Sequence, residues 1–288
     1  MIFTQKSNLT RTIMKAYSLF LLSLFFAAPG VAQTYDEWID SSFVAIENGK
    51  LADSESAIFS ALRLEPANQR NVFLWSNLGT IQRQMGKHDE AIESYTIALA
   101  QNPKSTTLLR NRAALFGEVG KPNDALTDYT AALLLEPDNE DALYYRGLLY
   151  LHLVAYDLAE ADFKRLMELN DESYRGRKGY ASLEKFRGNY TEAEKIYNFL
   201  INKLPNEREL YIARAELYML TNRNARAMGD INKVISGLEP DPYCYYLRAR
   251  VKLALYERKS AAQDLIIAKE GGYPIGDLQE VIDSEKAR

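Results

Sequence analysis

Arginine and aspartate recur in four matched sets along this chain. Arg112 stands with Asp128, Arg146 with Asp162, Arg214 with Asp230, and Arg248 with Asp264, each set separated by 16 residues. A planar guanidinium and a carboxylate favour a two-point hydrogen-bonded ion pair, which is a chemistry of holding and not of turnover. Residues that commonly turn substrates over are scarce. His88 and His152 are the two histidines and Cys244 the one cysteine. They carry no metal-ligand spacing, and no HExxH, Walker loop or paired-cysteine motif is present. Gly271, Gly272 and Gly276 surround Pro274 and read as a turn, not a phosphate cradle. Cys244 sits near a helix start, where a thiol pKa can fall, but it reads as a buried structural residue. The chain is therefore read as non-enzymatic, with no catalytic residue, cofactor or metal implied.

The first 32 residues differ from the rest. Lys6, Arg11 and Lys15 precede an apolar run from Ala16 to Ala28, followed by Pro29, Gly30, Val31 and Ala32. A basic segment, a short apolar segment and small residues at the exit describe a secretory signal peptide over residues 1–32, cut after Ala32. Met14 to Ala32 alone has the same layout, so Met14 is a second candidate start. This 13-residue run falls short of the ~20 residues that a spanning helix needs. Removing the segment takes the formal charge from −4 to −7, so the mature chain is acidic and is not expected to bind nucleic acid. With one cysteine there is no intrachain disulfide. Export into a bacterial periplasm or cell envelope is the expectation, with no membrane span after cleavage.

The elements that position the charged sets follow from a period of about 34 residues. Copies start at Tyr35, Val72, Thr106, Glu140, Tyr174, Arg208 and Pro242, so that residues 35–275 form one tandem array. Counting within each copy, Trp75, Leu78 and Gly79 occupy positions 4, 7 and 8, while Ala91, Tyr95 and Ala98 occupy 20, 24 and 27. Spacings of three and four put each set on one face of a helix. Position 8 is Ser42, Gly79, Ala113, Gly147, Ala181, Ala215 and Ala249; position 20 is Ser54, Ala91, Ala125, Ala159, Ala193, Ala227 and Ala261. Small residues at both places predict two closely approaching helices per copy. Position 15 is Gly49, Gly86, Gly120, Gly188 or Asn222 in five copies, residues that accept a left-handed helix end. Val154 and Tyr256 stand there in the fourth and seventh copies, whose turns are expected to be built differently. Thr191 with Glu194 is expected to form a capping box, with Asp89 and Asp157 capping similarly.

These residues resemble a tetratricopeptide repeat (TPR) protein over residues 35–275. The resemblance implies an all-α fold, a right-handed superhelical solenoid of about seven helix-turn-helix repeats that binds a protein or peptide. Residues 277–288, with Leu278, Val281 and Ile282 on one face, are read as a C-terminal capping helix over the last copy.

In this frame the arginines occupy position 7 and the aspartates position 23, and the three copies that lack one lack the other. Position 7 faces the partner helix, so each set is expected to be a structural ion pair within one copy. The family resemblance places the first helix of each copy on a concave side, along positions 2, 5, 9 and 12. There the fifth copy offers Arg175, Lys178 and Lys185, extended by Arg110 and Arg83, with Tyr144 and Tyr145 between. Such a stripe suits a partner carrying acidic and aromatic or apolar residues. Asn77 and Asn111 at position 6 resemble the carboxylate-clamp TPR domains, although Ile39 and Phe43 replace the lysine and asparagine that such a clamp also needs. The leading expectation is an exported adaptor with its partner in this groove. The alternative is an accessory subunit of an envelope or secretion assembly that docks by its convex face or end cap.

Overall fold

The computed structural model describes residues 33–237 and 241–287; the expected signal segment, 1–32, lies outside them. Among the described residues there are fifteen α-helices and no strand. In chain order they are α1 (Tyr35–Glu47), α2 (Leu51–Leu64), α3 (Asn71–Gln84), α4 (His88–Gln101), α5 (Thr106–Glu118), α6 (Pro122–Leu135), α7 (Glu140–His152) and α8 (Tyr156–Leu169). They continue as α9 (Tyr174–Phe186), α10 (Tyr190–Lys203), α11 (Arg208–Leu220), α12 (Asn224–Ile235), α13 (Pro242–Ala254), α14 (Arg258–Glu270) and, after a 3₁₀ turn at Gly276–Leu278, α15 (Gln279–Lys286). Two compact units divide between Tyr145 and Arg146, inside α7. Each copy contributes one helical hairpin, odd-numbered helix first.

Close approach within a hairpin depends on the small positions. Every position-20 residue is fully buried, as are the alanines at position 8. At two position-8 glycines there is no room even for a methyl group. A Cβ built on Gly79 would lie 2.9 Å from the Tyr95 ring, and one on Gly147 would lie 2.6 Å from the Phe163 ring. Gly179, in the next copy, would bring its Cβ to 2.3 Å from the same Phe163. The ring at position 24 is thus clasped from both sides by missing side chains. Apolar residues are shared between copies: Ala193, Tyr197, Leu200 and Ile201 of the fifth copy pack with Leu210 and Leu217 of the sixth. At the C-terminus Val281 and Ile282 of α15 pack with Ala249, Ala261, Leu265 and Ala268 of the last hairpin.

All seven hairpin turns are built alike, and here the expectation for the fourth and seventh copies is corrected. Val154 and Tyr256 adopt φ of 61° and 63°, the same left-handed conformation as Gly49 or Gly120 at 71°. The helix-ending hydrogen bonds match as well. Ala155 N donates to Tyr150 O at 2.8 Å and Glu257 N to Lys252 O at 2.9 Å, as Lys50 N does to Ala45 O at 2.8 Å. Packing of the hairpin therefore overrides a local penalty of about 1–2 kcal/mol for a side chain in this region. The second correction concerns caps. Asn189 precedes α10 without a side-chain cap, and Thr191 lies inside the first turn. Glu194 instead accepts from Tyr218 Oη at 3.0 Å, Arg223 Nη1 at 2.5 Å and Arg226 Nη1 at 3.1 Å. Asp157 accepts from Arg187 Nη2 at 3.0 Å, and α4, which contains Asp89, has no side-chain cap. Caps belong to first helices, which follow the looser connections. Thr34 and Glu37 form a capping box, and Ser105, Asn139, Ser173 and Asp241 each accept from a first-turn N–H.

The four arginine–aspartate sets are two-point contacts. Arg112 Nε and Nη2 donate to Asp128 at 2.7 and 2.8 Å; Arg146 to Asp162 at 2.9 and 2.7 Å; Arg214 to Asp230 at 2.8 and 2.7 Å; Arg248 to Asp264 at 2.8 and 2.7 Å. For Arg112, Arg214 and Arg248, Nη1 also reaches a polar residue at position 25 of the preceding copy: Thr96 at 2.9 Å, Asn198 at 2.5 Å and Asn232 at 3.1 Å respectively. One guanidinium thus ties three helices. Burial pushes the Asp162 carboxyl up from its ordinary range, outweighing the pull of Arg146, whereas the hydrogen bond to Asp162 raises Arg146 further. Burial thus weighs against the ionised Asp162 while its hydrogen bond favours the charged Arg146, so losing either partner strands a buried charge.

Replacing Val154 by glycine should stabilise the chain by about 1 kcal/mol in urea unfolding, by relieving the left-handed strain; a loss of stability would contradict the turn geometry. For the ion pairs, Arg214→Met alone should cost about 3–5 kcal/mol by stranding Asp230, and Arg214→Met with Asp230→Leu should recover most of it. Additive single-site losses in that cycle would show that the two residues do not act as a unit.

Candidate functional site

In the first compact unit the stripe of positions 2, 5, 9 and 12 lies along α1, α3 and α5 and the start of α7. Arg83 on α3 grips Glu118 of α5 through two hydrogen bonds, the Nε–Oε2 one at 2.8 Å. Arg110 on α5 meets Asp141 at 3.0 Å and donates to Asn139 Oδ1 at 3.3 Å. Asn111 is half-buried on α5. Tyr144 is buried and meets the Tyr145 ring edge-on at 5.4 Å, while Tyr145 is 43% exposed and stacks on Tyr129 at 6.2 Å. Of these two, Tyr145 is the ring that solvent reaches.

In the second unit Lys178 pairs with Glu209 and lies over the Tyr174 ring at 5.6 Å. Lys185, its side chain only 10% exposed, meets Glu216 at 2.8 Å. Arg175 is half-buried on α9. The stripe cations are thus not a field of open charge. Three of the contacts, Arg110–Asp141, Lys178–Glu209 and Lys185–Glu216, join residues 31 apart in sequence, one period less a helical turn. An acid three positions earlier in the next copy therefore neutralises each of these cations. That offset is a signal the sequence carries, and it is found by searching between copies and not within them.

The last copy carries a further feature on the same stripe. Tyr243 and Tyr246 on α13 and Tyr273 beyond α14 form a triangle of rings, with centroids 5.2 Å (Tyr243–Tyr273), 4.9 Å (Tyr246–Tyr273) and 6.3 Å (Tyr243–Tyr246) apart. Tyr243 Oη donates to Glu216 Oε1 at 2.7 Å. Exposed Arg250 lies with its Cζ 5.8 Å from the Tyr246 centroid.

Catalytic candidates gain nothing from the geometry. Cys244 is fully buried, and burial pushes its thiol up to about 11, further raised by Asp241 and opposed by Arg208. It is therefore a poor nucleophile at neutral pH. A shallow cavity of about 360 Å³ beside the fourth turn is lined by Val154, Tyr156, Asp157, Leu158 and Arg187. The Arg187 guanidinium there is already engaged by Asp157, Glu160 and Glu184. Among the described residues, no group of three or more His, Cys, Asp or Glu is placed to hold a metal, and no helix is long and apolar enough to cross a membrane.

One tetratricopeptide repeat family model matches residues 72–105 and another matches residues 110–173. The chain is similar to a tetratricopeptide repeat protein of Parabacteroides merdae, known from a crystal structure. The identity is 45%, over 88% of this chain and 98% of that one, with a TM-score of 0.82. It is also similar to PilW, a widely conserved type IV pilus biogenesis factor (17% identity, 71% of this chain and 93% of that one, TM-score 0.58). The same holds for Pseudomonas aeruginosa pilF (18% identity, 75% and 97%, TM-score 0.55). At such identities those two likenesses are of fold alone. None of the curated proteins matches by sequence. Repeats of this kind imply a protein-interaction scaffold, and the helical hairpins, their small-residue contacts and the match to the Parabacteroides protein agree: the chain belongs to the tetratricopeptide repeat family.

Proposed function

We propose that this chain is an exported, non-enzymatic adaptor that holds a protein or peptide along the first-helix stripe of its repeats. The observation that carries the reading is where the copies differ. Positions 8 and 20 are small in every copy, and the position-24 residue is a buried large apolar or aromatic side chain. Positions 2, 5, 9 and 12 run instead through Asp36, Phe73, Arg83, Arg110, Lys178 and Tyr243. Uniform positions build the scaffold, and the varied stripe is free to be fitted to a partner. Because Lys178 and Lys185 face Glu209 and Glu216, open charge contributes less to partner binding there than aromatic surface such as Tyr145.

A second reading, docking as an accessory subunit through a surface outside the stripe, draws on the hairpin turns of the second unit. Val154 is 66% exposed and Tyr256 95% exposed, beside Leu153, Phe186, Leu220 and Leu255 on neighbouring turns. Apolar residues that carry both exposure and left-handed strain are unusual in a surface without a partner.

A photo-crosslinking amino acid placed singly at Tyr145, Lys195 or Tyr256 of the exported protein separates these readings. Lys195 marks the second-helix side. The adaptor reading expects adducts from Tyr145, and a mature chain that begins at Gln33 by mass spectrometry. Adducts from Tyr256 with none from Tyr145 transfer support to the turn surface. Adducts from Lys195 alone contradict the adaptor reading and favour docking outside the stripe, and an uncut chain retained in the cytosol contradicts export.

A further inference from the structure

The stripe pairing has an end. Lys178 reaches Glu209 of the following copy and Lys185 reaches Glu216, but the residue 31 positions past Arg250 is Val281 of α15, which is apolar and buried against the last hairpin. Its stripe cation, Arg250, is exposed and lies over Tyr246. Among the described residues, no carboxylate lies within ion-pair distance of it. Glu216, the nearest acid on the stripe of the sixth copy, is occupied by Lys185 at 2.8 Å and by Tyr243 Oη at 2.7 Å. Asp241 is committed to the N-terminus of α13, where it accepts from Tyr243 N at 2.9 Å.

The rings beneath Arg250 are held in place. Tyr243 is anchored by Glu216, and burial followed by that hydrogen bond moves its hydroxyl well above the ordinary tyrosine value, so it stays protonated and donating. Tyr273 is positioned by the turn after α14, where its N–H donates to Ala268 O at 2.9 Å. Tyr246 completes the triangle, 4.9 Å from Tyr273 and 6.3 Å from Tyr243. All three are half-buried, so each keeps an accessible edge or face. The result is a fixed aromatic platform with one uncompensated guanidinium at its rim, in a chain of net charge −4.

We propose that Tyr243, Tyr246, Tyr273 and Arg250 form a binding site for a peptide segment in which a carboxylate side chain adjoins an aromatic residue. The carboxylate takes the two-point contact that Arg250 does not make within the fold, and the aromatic side chain stacks on the tyrosines, offset or edge-on. A lone aromatic cage would select a cation, but Arg250 at its rim repels one. The site rests on the adaptor reading and gives it a location and a ligand chemistry.

The test uses the full mature chain with ¹³C-labelled tyrosine and the peptide acetyl-Gly-Ser-Glu-Phe-Ser-Gly-amide, followed by NMR. Saturable shifts are expected for the Tyr243, Tyr246 and Tyr273 rings and not for Tyr218. The matching Gln-Phe peptide should bind about tenfold more weakly, the scale of one charge-assisted hydrogen bond. Arg250→Gln should abolish that difference; the residue is exposed, so the variant should fold. Unmoved rings, equal binding of the Glu and Gln peptides, or tighter binding of a Lys-Phe peptide would each overturn the proposal. Crosslinks from Tyr145 depend on a different repeat, so their persistence beside a negative result here removes this site and leaves the adaptor reading standing.

Discussion

Everything in this fold depends on how closely two helices can approach within a hairpin. The limit is set by positions 8 and 20, where the chain keeps glycine, alanine or serine, and the space so opened is filled by the ring or branched chain at position 24. Phe163 shows the constraint most sharply, because Gly147 and Gly179 both leave room for its ring and neither could carry a methyl group without displacing it. Once that distance is fixed, the rest follows. The hairpin turn must be tight, so it takes a left-handed residue even where the sequence supplies valine or tyrosine. Apolar residues left over on one hairpin find cover on a neighbour, as Ile58 and Leu62 do with Leu74 and Leu78 in the first unit, and Ile231 and Val234 with Leu247 and Val251 in the second.

Charge is used in two ways on this frame. Inside, Arg112, Arg214 and Arg248 each hold an aspartate of their own hairpin and a threonine or asparagine of the hairpin before. These contacts are specific in direction, and removing one partner leaves the other buried and uncompensated. On the first-helix stripe, ion pairs such as Lys178–Glu209 are more exposed and screened by salt. They neutralise Arg110, Lys178 and Lys185, whereas in the last copy Arg250 meets no carboxylate among the described residues.

Much of this was legible in the sequence, and the limits have physical causes. The period, the small positions and the linked arginines and aspartates are visible because every copy faces the same packing problem. The partner at position 25 was equally visible in principle: Thr96, Asn198 and Asn232 each precede an arginine by 16 residues, but the comparison must cross a copy boundary. Acidic partners of Arg110, Lys178 and Lys185, 31 residues on, were missed for the same reason, and open charge was expected where the fold closes it. Val154 and Tyr256 were misread because local preference argues against a left-handed β-branched or aromatic residue while hairpin packing outweighs it. Thr191 and Glu194 have the spacing of a cap, yet α10 starts two residues too early for Thr191 to serve, and Glu194 is drawn to Arg223.

The central claim, that missing side chains at position 8 set the helix separation, has a test in which two principles predict opposite signs. Gly147 lies within helix α7, where alanine is the better helix former by about 1 kcal/mol. Urea unfolding of Gly147→Ala, alone and with Phe163→Leu, reads the outcome. The account predicts that the single substitution destabilises the chain by about 1–3 kcal/mol through overpacking, and that shortening Phe163 removes the penalty of the added methyl. A single variant more stable than the parent would mean that helix propensity governs this position, and that the close approach does not hold the fold.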